Sequence, residues 1–170
     1  TQNNLYTISS GTEKFLKNID EPIHLRLFMS STLVEIAPQL STYANRVESL
    51  LYSYANMSEG KITLEIIDPK PFSDQEDRAV GMGISPFGGS NNNDPLYFGL
   101  AATNSTTGQK NINVFSPERE PFLEYDLTRL IAELAQTKKP KISIIDNLGL
   151  EANSRICLLY TSPSPRDQLT

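Results

Sequence analysis

Apolar positions between residues 22 and 137 recur with two different periods, and each switch of period marks an element. Ile23-His24-Leu25-Arg26-Leu27-Phe28-Met29 alternates with period two just after Pro22, which predicts a half-buried strand. After Pro38, the positions Leu40, Tyr43, Val47, Leu50, Leu51 and Tyr54 fall at helical spacing. Gln39, Asn45, Arg46, Glu48 and Ser49 fill the other face, and the run stops near Glu59-Gly60. That is one long amphipathic helix with a glycine at its end. Residues 61–69 form the next strand, closed by Pro69, which lacks a ladder donor. A strand, helix, strand order with so long a connection favours a parallel pair joined by a right-handed crossover.

The rest of the chain reads in the same way. Ser9 or Ser10 can cap a short helix whose apolar side is Phe15, Leu16 and Ile19. Ser73 can cap another, from Asp74 to about Val80, which Gly81 and Gly83 break. The Gly-, Asn- and Pro-rich stretch 85–95 predicts a mobile surface loop. Residues 96–103 and 110–115 flank the turn-rich 104–108 and predict a β-hairpin. Leu123, Leu127, Leu130, Ile131 and Leu134 make a helical stripe that begins after Pro121 and stops at Lys138-Lys139-Pro140. Residues 22–137 therefore give strand, helix, strand, helix, strand, strand, helix. This is the thioredoxin-like order, an α/β fold in which helices cover both faces of a small mixed sheet. Residues 1–21 precede it as a lead-in helix. The strand expected at 141–146 lies behind a proline-marked break, so 138–156 reads as the start of a second, truncated α/β domain.

Composition narrows the chemistry. Twenty Asp and Glu against fifteen Lys and Arg leave a net charge of −5, which argues against a nucleic-acid binder, because neutralising phosphates needs clustered cations. One cysteine, Cys157, and one histidine, His24, cannot supply a disulfide, a paired-cysteine redox site, a His/Cys zinc site or a histidine-based triad. No run of 18 apolar residues is present, and the chain opens on Thr1, so it reads as a fragment. Residues 157–170 have neither period nor caps, and 157–167 closely resembles translated sequencing-adapter sequence. That tail is expected to be non-native.

The end of the first strand, where a thioredoxin-like enzyme places its nucleophile, is Met29-Ser30-Ser31-Thr32-Leu33 and holds no cysteine. Ser30, Ser31 and Thr32 are expected to cap or turn the chain, and His24 to be a half-exposed, hydrogen-bonded strand residue. Asp68 lies at the C-terminal end of a parallel strand, where α/β folds often bind ligands, although strand-end aspartates also cap loops. Glu118, Glu120, Glu124 and Asp126 crowd the start of the last helix beside Arg119, with Asp126 and Arg129 spaced as an i,i+3 pair. The DxDxDG spacing of a calcium loop is absent, as are phosphate-binding glycine motifs. No catalytic, cofactor-binding or metal-ligating residue is assigned, and no cofactor is expected.

Several stretches together carry a family likeness: Leu5 to Ser9 with Gly11-Thr12, Asp20-Glu21-Pro22-Ile23, Leu64 to Pro69, Asp74 to Ala79, Leu96 to Leu100, and Pro117-Glu118-Arg119-Glu120 through Leu123 to Leu130. Over residues 1 to about 150 the chain resembles the GldG-like auxiliary proteins of ABC transport systems, some associated with gliding motility. The resemblance implies a membrane-anchored protein with an anchor before Thr1 and a soluble region facing the periplasm or cell exterior. It also implies a non-enzymatic binding or scaffolding role beside a permease and an ATPase. The candidate partner surface is the loop with Gly88, Gly89, Asn91, Asn92 and Asn93, together with Glu118, Arg119, Glu120, Glu124 and Asp126. Two other readings stay open: a carboxylate-based enzyme on a thioredoxin-like scaffold, and a structural spacer.

Overall fold

A computed structural model describes residues 7–89 and 94–136. In chain order they form α1 (Ser10–Lys17), β1 (Ile23–Met29), α2 (Leu33–Ile36), α3 (Ser41–Met57), β2 (Ile62–Ile67), α4 (Asp74–Gly81), β3 (Phe98–Thr103), β4 (Gln109–Ile112) and α5 (Leu123–Ala135). Short 3-10 segments, Pro38–Leu40 and Pro117–Phe122, lead into α3 and α5. All belong to one compact unit, Thr1–Ala135. The strand expected at 141–146, the break before it and the tail lie outside the described residues.

The four strands make one mixed sheet in the order β2-β1-β3-β4. β1 runs parallel to β2 and antiparallel to β3, and β3 is antiparallel to β4. This is the α/β arrangement that the element order predicts. Short α2, between β1 and the long helix, has no signature in the apolar pattern, because only Leu33 of its four residues is buried. β4 is shorter than expected and ends at Ile112, although the chain keeps running along β3, with the Phe115 N–H donating to the Phe98 carbonyl at 2.7 Å.

Register assigns the side chains to two faces. Ile23, Leu25 and Leu27 share one face with Ile62, Leu64 and Ile66 of β2 and with Phe98, Leu100 and Ala102 of β3. α3 packs there on β2, and α5 on β1, β3 and β4. Tyr43 of α3 meets Phe98 and Phe115 edge-on at 5.8 and 6.4 Å. The two helices are tied by buried Tyr54, whose hydroxyl lies 2.6 Å from Thr128 Oγ1 and donates to the Glu124 carbonyl at 3.2 Å. α1 packs against α3 with Phe15 and Leu16 buried, so the lead-in helix is part of this core.

The opposite face carries His24, Arg26 and Phe28 of β1 with Thr63, Glu65 and Ile67 of β2. Its Phe28 end is apolar: Phe28, Ile67, Ala101, Tyr97 and Ile84 cluster under Ala79 of α4. Helices therefore cover both faces, the second only in part. Gly99, opposite Phe28 in the ladder, is required here by space, since a Cβ would stand 2.7 Å from the carbonyl oxygens of both Ile112 and Asn113.

Candidate functional site

Three regions hold the residues that sequence patterning singles out. The first is the C-terminal end of the parallel pair. Ser30 is buried, and its Oγ accepts the Tyr97 N–H at 2.9 Å while its own N–H donates to the Tyr97 carbonyl at 3.0 Å. The Ser31 N–H donates to Asp68 Oδ1 at 3.1 Å. These groups staple the loops after β1 and β2 to the strand entering β3, which is the capping and turn role expected of them.

Beside Asp68 an open cleft of about 400 Å³ runs between β2 and α4, lined by Glu65 to Asp68, Lys70, Ser73, Gln75 and Arg78. Three of its polar side chains, Glu65, Asp68 and Ser73, are already engaged. Glu65 Oε1 lies 3.3 Å from His24 Nε2 and 3.8 Å from Arg26 Nε. The Ser73 hydroxyl donates to the Lys70 carbonyl at 2.6 Å and accepts the Glu76 N–H at 3.2 Å, capping α4. Lys70 and Arg78 form no ion pair among the described residues, and they are the feature that sequence reading missed. No spacing signals them, because the loop after β2 and the helix α4 bring them to one cleft only in the folded chain.

Behind the cleft, Tyr97 is 2% exposed and donates its hydroxyl to Glu76 Oε2 at 2.8 Å. Burial, with the Glu76 carboxylate adding to it, pushes the phenol up to about 12. The other Glu76 oxygen accepts the Phe72 N–H at 2.8 Å. Phe72 itself is 98% exposed with φ 62°, in the left-handed region that bulky residues avoid.

The second region is the start of α5. Its carboxylates do not converge; each has a different partner. Glu118 accepts from the Ser116 hydroxyl, which with its own backbone N–H lowers its pKa. Glu120 pairs with Arg46 of α3. Glu124 Oε2 accepts both the N–H and the hydroxyl of Ser9, at 3.1 and 2.7 Å, and so holds the start of α1. Asp126 pairs with Arg119 at 2.7 Å, a bond that holds the guanidinium more firmly protonated. The expected Asp126 and Arg129 pair is not formed. Arg129 turns one helical turn forward to Glu133 at 3.1 Å, because the 3-10 turn before α5 delivers Arg119 to Asp126 in a bidentate geometry. The Arg119 guanidinium also lies 4.7 Å from the ring centroid of Phe122, which is half exposed.

The third region is the loop 85–95. Its stems are pinned: Phe87 and Leu96 exchange two backbone hydrogen bonds of 2.9 Å, and Ser85 donates to the Asn113 carbonyl. Gly88 and Gly89 follow the pinned stem with φ near 70°, where glycine is strain-free. Asn91, Asn92 and Asn93 lie outside the described residues. Among the described residues no three His, Cys, Asp or Glu side chains are placed to hold a metal ion, and no helix is long and apolar enough to cross a membrane.

The geometry is thus that of a mixed α/β domain with a charged cleft and an aromatic-basic knob among the described residues. The chain belongs to the family described as a domain of unknown function, DUF7088, whose model matches residues 2–103, from before α1 to the end of β3. No curated protein and no solved structure matches it.

Proposed function

We propose that the chain is a non-enzymatic, extracytoplasmic auxiliary domain of an ABC transport system, acting by contact with a permease and an ATPase, and held at the cytoplasmic membrane by sequence outside this chain. The sequence resemblance to GldG-like proteins supports the reading, and one structural observation carries it: the turn Pro117–Phe122 presents Phe122 half exposed beneath Arg119, with every carboxylate around it already paired. A half-exposed aromatic with a stacked guanidinium is the residue combination that dominates protein contacts. Carboxylates each committed to a separate partner favour a rigid docking surface over a carboxylate-based active site, which needs two of them to share a substrate.

The test is co-purification of the permease with the intact, membrane-anchored protein, comparing the wild type with Phe122→Ala and with Thr106→Ala, on the distant hairpin loop. Loss of the permease with Phe122→Ala alone is expected, at an unchanged circular dichroism spectrum. Retention with both, or turnover of a substrate by the isolated domain, would overturn the reading.

A further inference from the structure

The two edges of the sheet are protected unequally. β4 is four residues long, and its exposed Gln109, Lys110 and Asn111 blunt it; Lys110 reaches Glu133 at 3.5 Å and Asn111 Nδ2 donates to the Met82 carbonyl at 2.9 Å. β2 is six residues long, reads Ile-Thr-Leu-Glu-Ile-Ile, and has one charge, Glu65. The Ile23 N–H donates to the Lys61 carbonyl, and Ile23 is in register with Ile62. In a parallel ladder this turns the peptide groups of residues 63, 65 and 67 toward β1 and those of 62, 64 and 66 outward. Of the outward donors, only that of Ile62 has a partner among the described residues, Ser58 Oγ at 2.9 Å. Leu64 is half-buried and Ile66 is 36% exposed at this same edge.

From this edge we infer that β2 pairs with β2 of a second copy of the chain, antiparallel about a two-fold axis at Leu64, to make a continuous eight-stranded sheet. The apolar pattern around Leu64 is symmetric, so the edge matches itself. Leu64 meets Leu64 of the second copy, and Ile62 meets Ile66 twice, which covers the exposed isoleucine and extends the α3 face across the axis. On the other face Glu65 stands opposite Thr63 of the second copy and diagonal to its Lys61, a cation with no ion pair among the described residues. Sliding by one pair of residues toward Ile66 would set Glu65 against Glu65 and is disfavoured. With the Ile62 donor kept by Ser58, the pairing forms four new backbone hydrogen bonds: two between the Leu64 residues and one from each Ile66 N–H to the Ile62 carbonyl.

The experiment uses the full 170-residue chain with Cys157→Ser, so that any introduced cysteine is alone. Paired residues in such a ladder have Cα atoms roughly 5.5 Å apart, inside the range that a disulfide spans. Leu64→Cys is therefore expected to cross-link into a dimer under mild oxidation, and Thr63→Cys and the exposed control Thr106→Cys to lag well behind. The wild type should become dimeric as concentration rises in light scattering. Leu64→Lys, which sets two ammonium groups face to face, should stay monomeric at those concentrations with an unchanged far-ultraviolet spectrum. A wild type that remains monomeric throughout, or cross-linking at residue 63 in preference to 64, would overturn the proposal; the first result would leave the edge to a strand from another protein.

Discussion

The two faces of the sheet take alternate residues of the one strand β1, Ile23, Leu25 and Leu27 on one and His24, Arg26 and Phe28 on the other, yet they are built on different principles. Ile23, Leu25 and Leu27 are at most 1% exposed beneath α3 and α5, so that face is a continuous apolar core. Phe28, on the other face, is equally buried under α4, but two residues earlier Arg26 and then His24 come out from under the helix and pair with Glu65 and Thr103. The difference is one of coverage: α4 has eight residues where α3 has seventeen, and at about 1.5 Å per residue it spans about 12 Å of the sheet. What the helix leaves uncovered must be polar. This contrast also places the cleft, which lies where α4 stops shielding the β2 edge.

The comparison predicts a graded set of effects. Leu27→Ala on the covered face should be the most damaging, at about 2–5 kcal/mol in urea unfolding, through lost burial and the cavity left behind. A loss below about 1 kcal/mol would mean that the α3 and α5 face is loosely packed. Gly99→Ala on the partly covered face should cost about 1–3 kcal/mol, because the new methyl meets two backbone carbonyls that cannot rotate away. A neutral result would show that the chain after β4 yields easily and that this face is softer than its packing suggests.

The Tyr97 phenol separates the faces by pH. Its folded pKa of about 12 lies above the ordinary 10, so the neutral form is preferred in the folded state. The associated stability is fully present below pH 10 and is lost as pH rises from 10 through 12, since the unfolded chain releases the proton first. Tyr97→Phe should flatten that decline in a pH series of melting temperatures; an unchanged slope would detach Tyr97 from it. Smallest of all should be Arg26→Met, within about 1 kcal/mol of the wild type. Its Nε is buried without a hydrogen bond and sits 3.8 Å from Glu65, so the substitution trades a weak pair for relief of an unsatisfied donor. A loss of several kcal/mol would show that the polar half of this face stabilises the sheet as strongly as the apolar half.

The sequence by itself determined every element but the short α2, and their order. Period-two alternation in β1, the Tyr43 to Tyr54 stripe of α3, the Ser9 and Ser73 caps and the Leu123 to Leu134 stripe of α5 were all readable, because each depends on neighbours within one or two turns of chain. Composition was equally readable: one histidine and one cysteine within this chain cannot by themselves form a disulfide or a His/Cys zinc site. Tertiary structure alone decided which groups meet. Arg119 chooses Asp126, Glu124 holds Ser9 across 115 residues, and Lys70 and Arg78 share a cleft with Asp68. Charged side chains are long enough to reach several partners, and the backbone path that selects among them, such as the 3-10 turn before α5, leaves no periodic trace. The unequal edges of the sheet were likewise invisible, because strand order follows from how the helices pack and only that order makes β2 an edge.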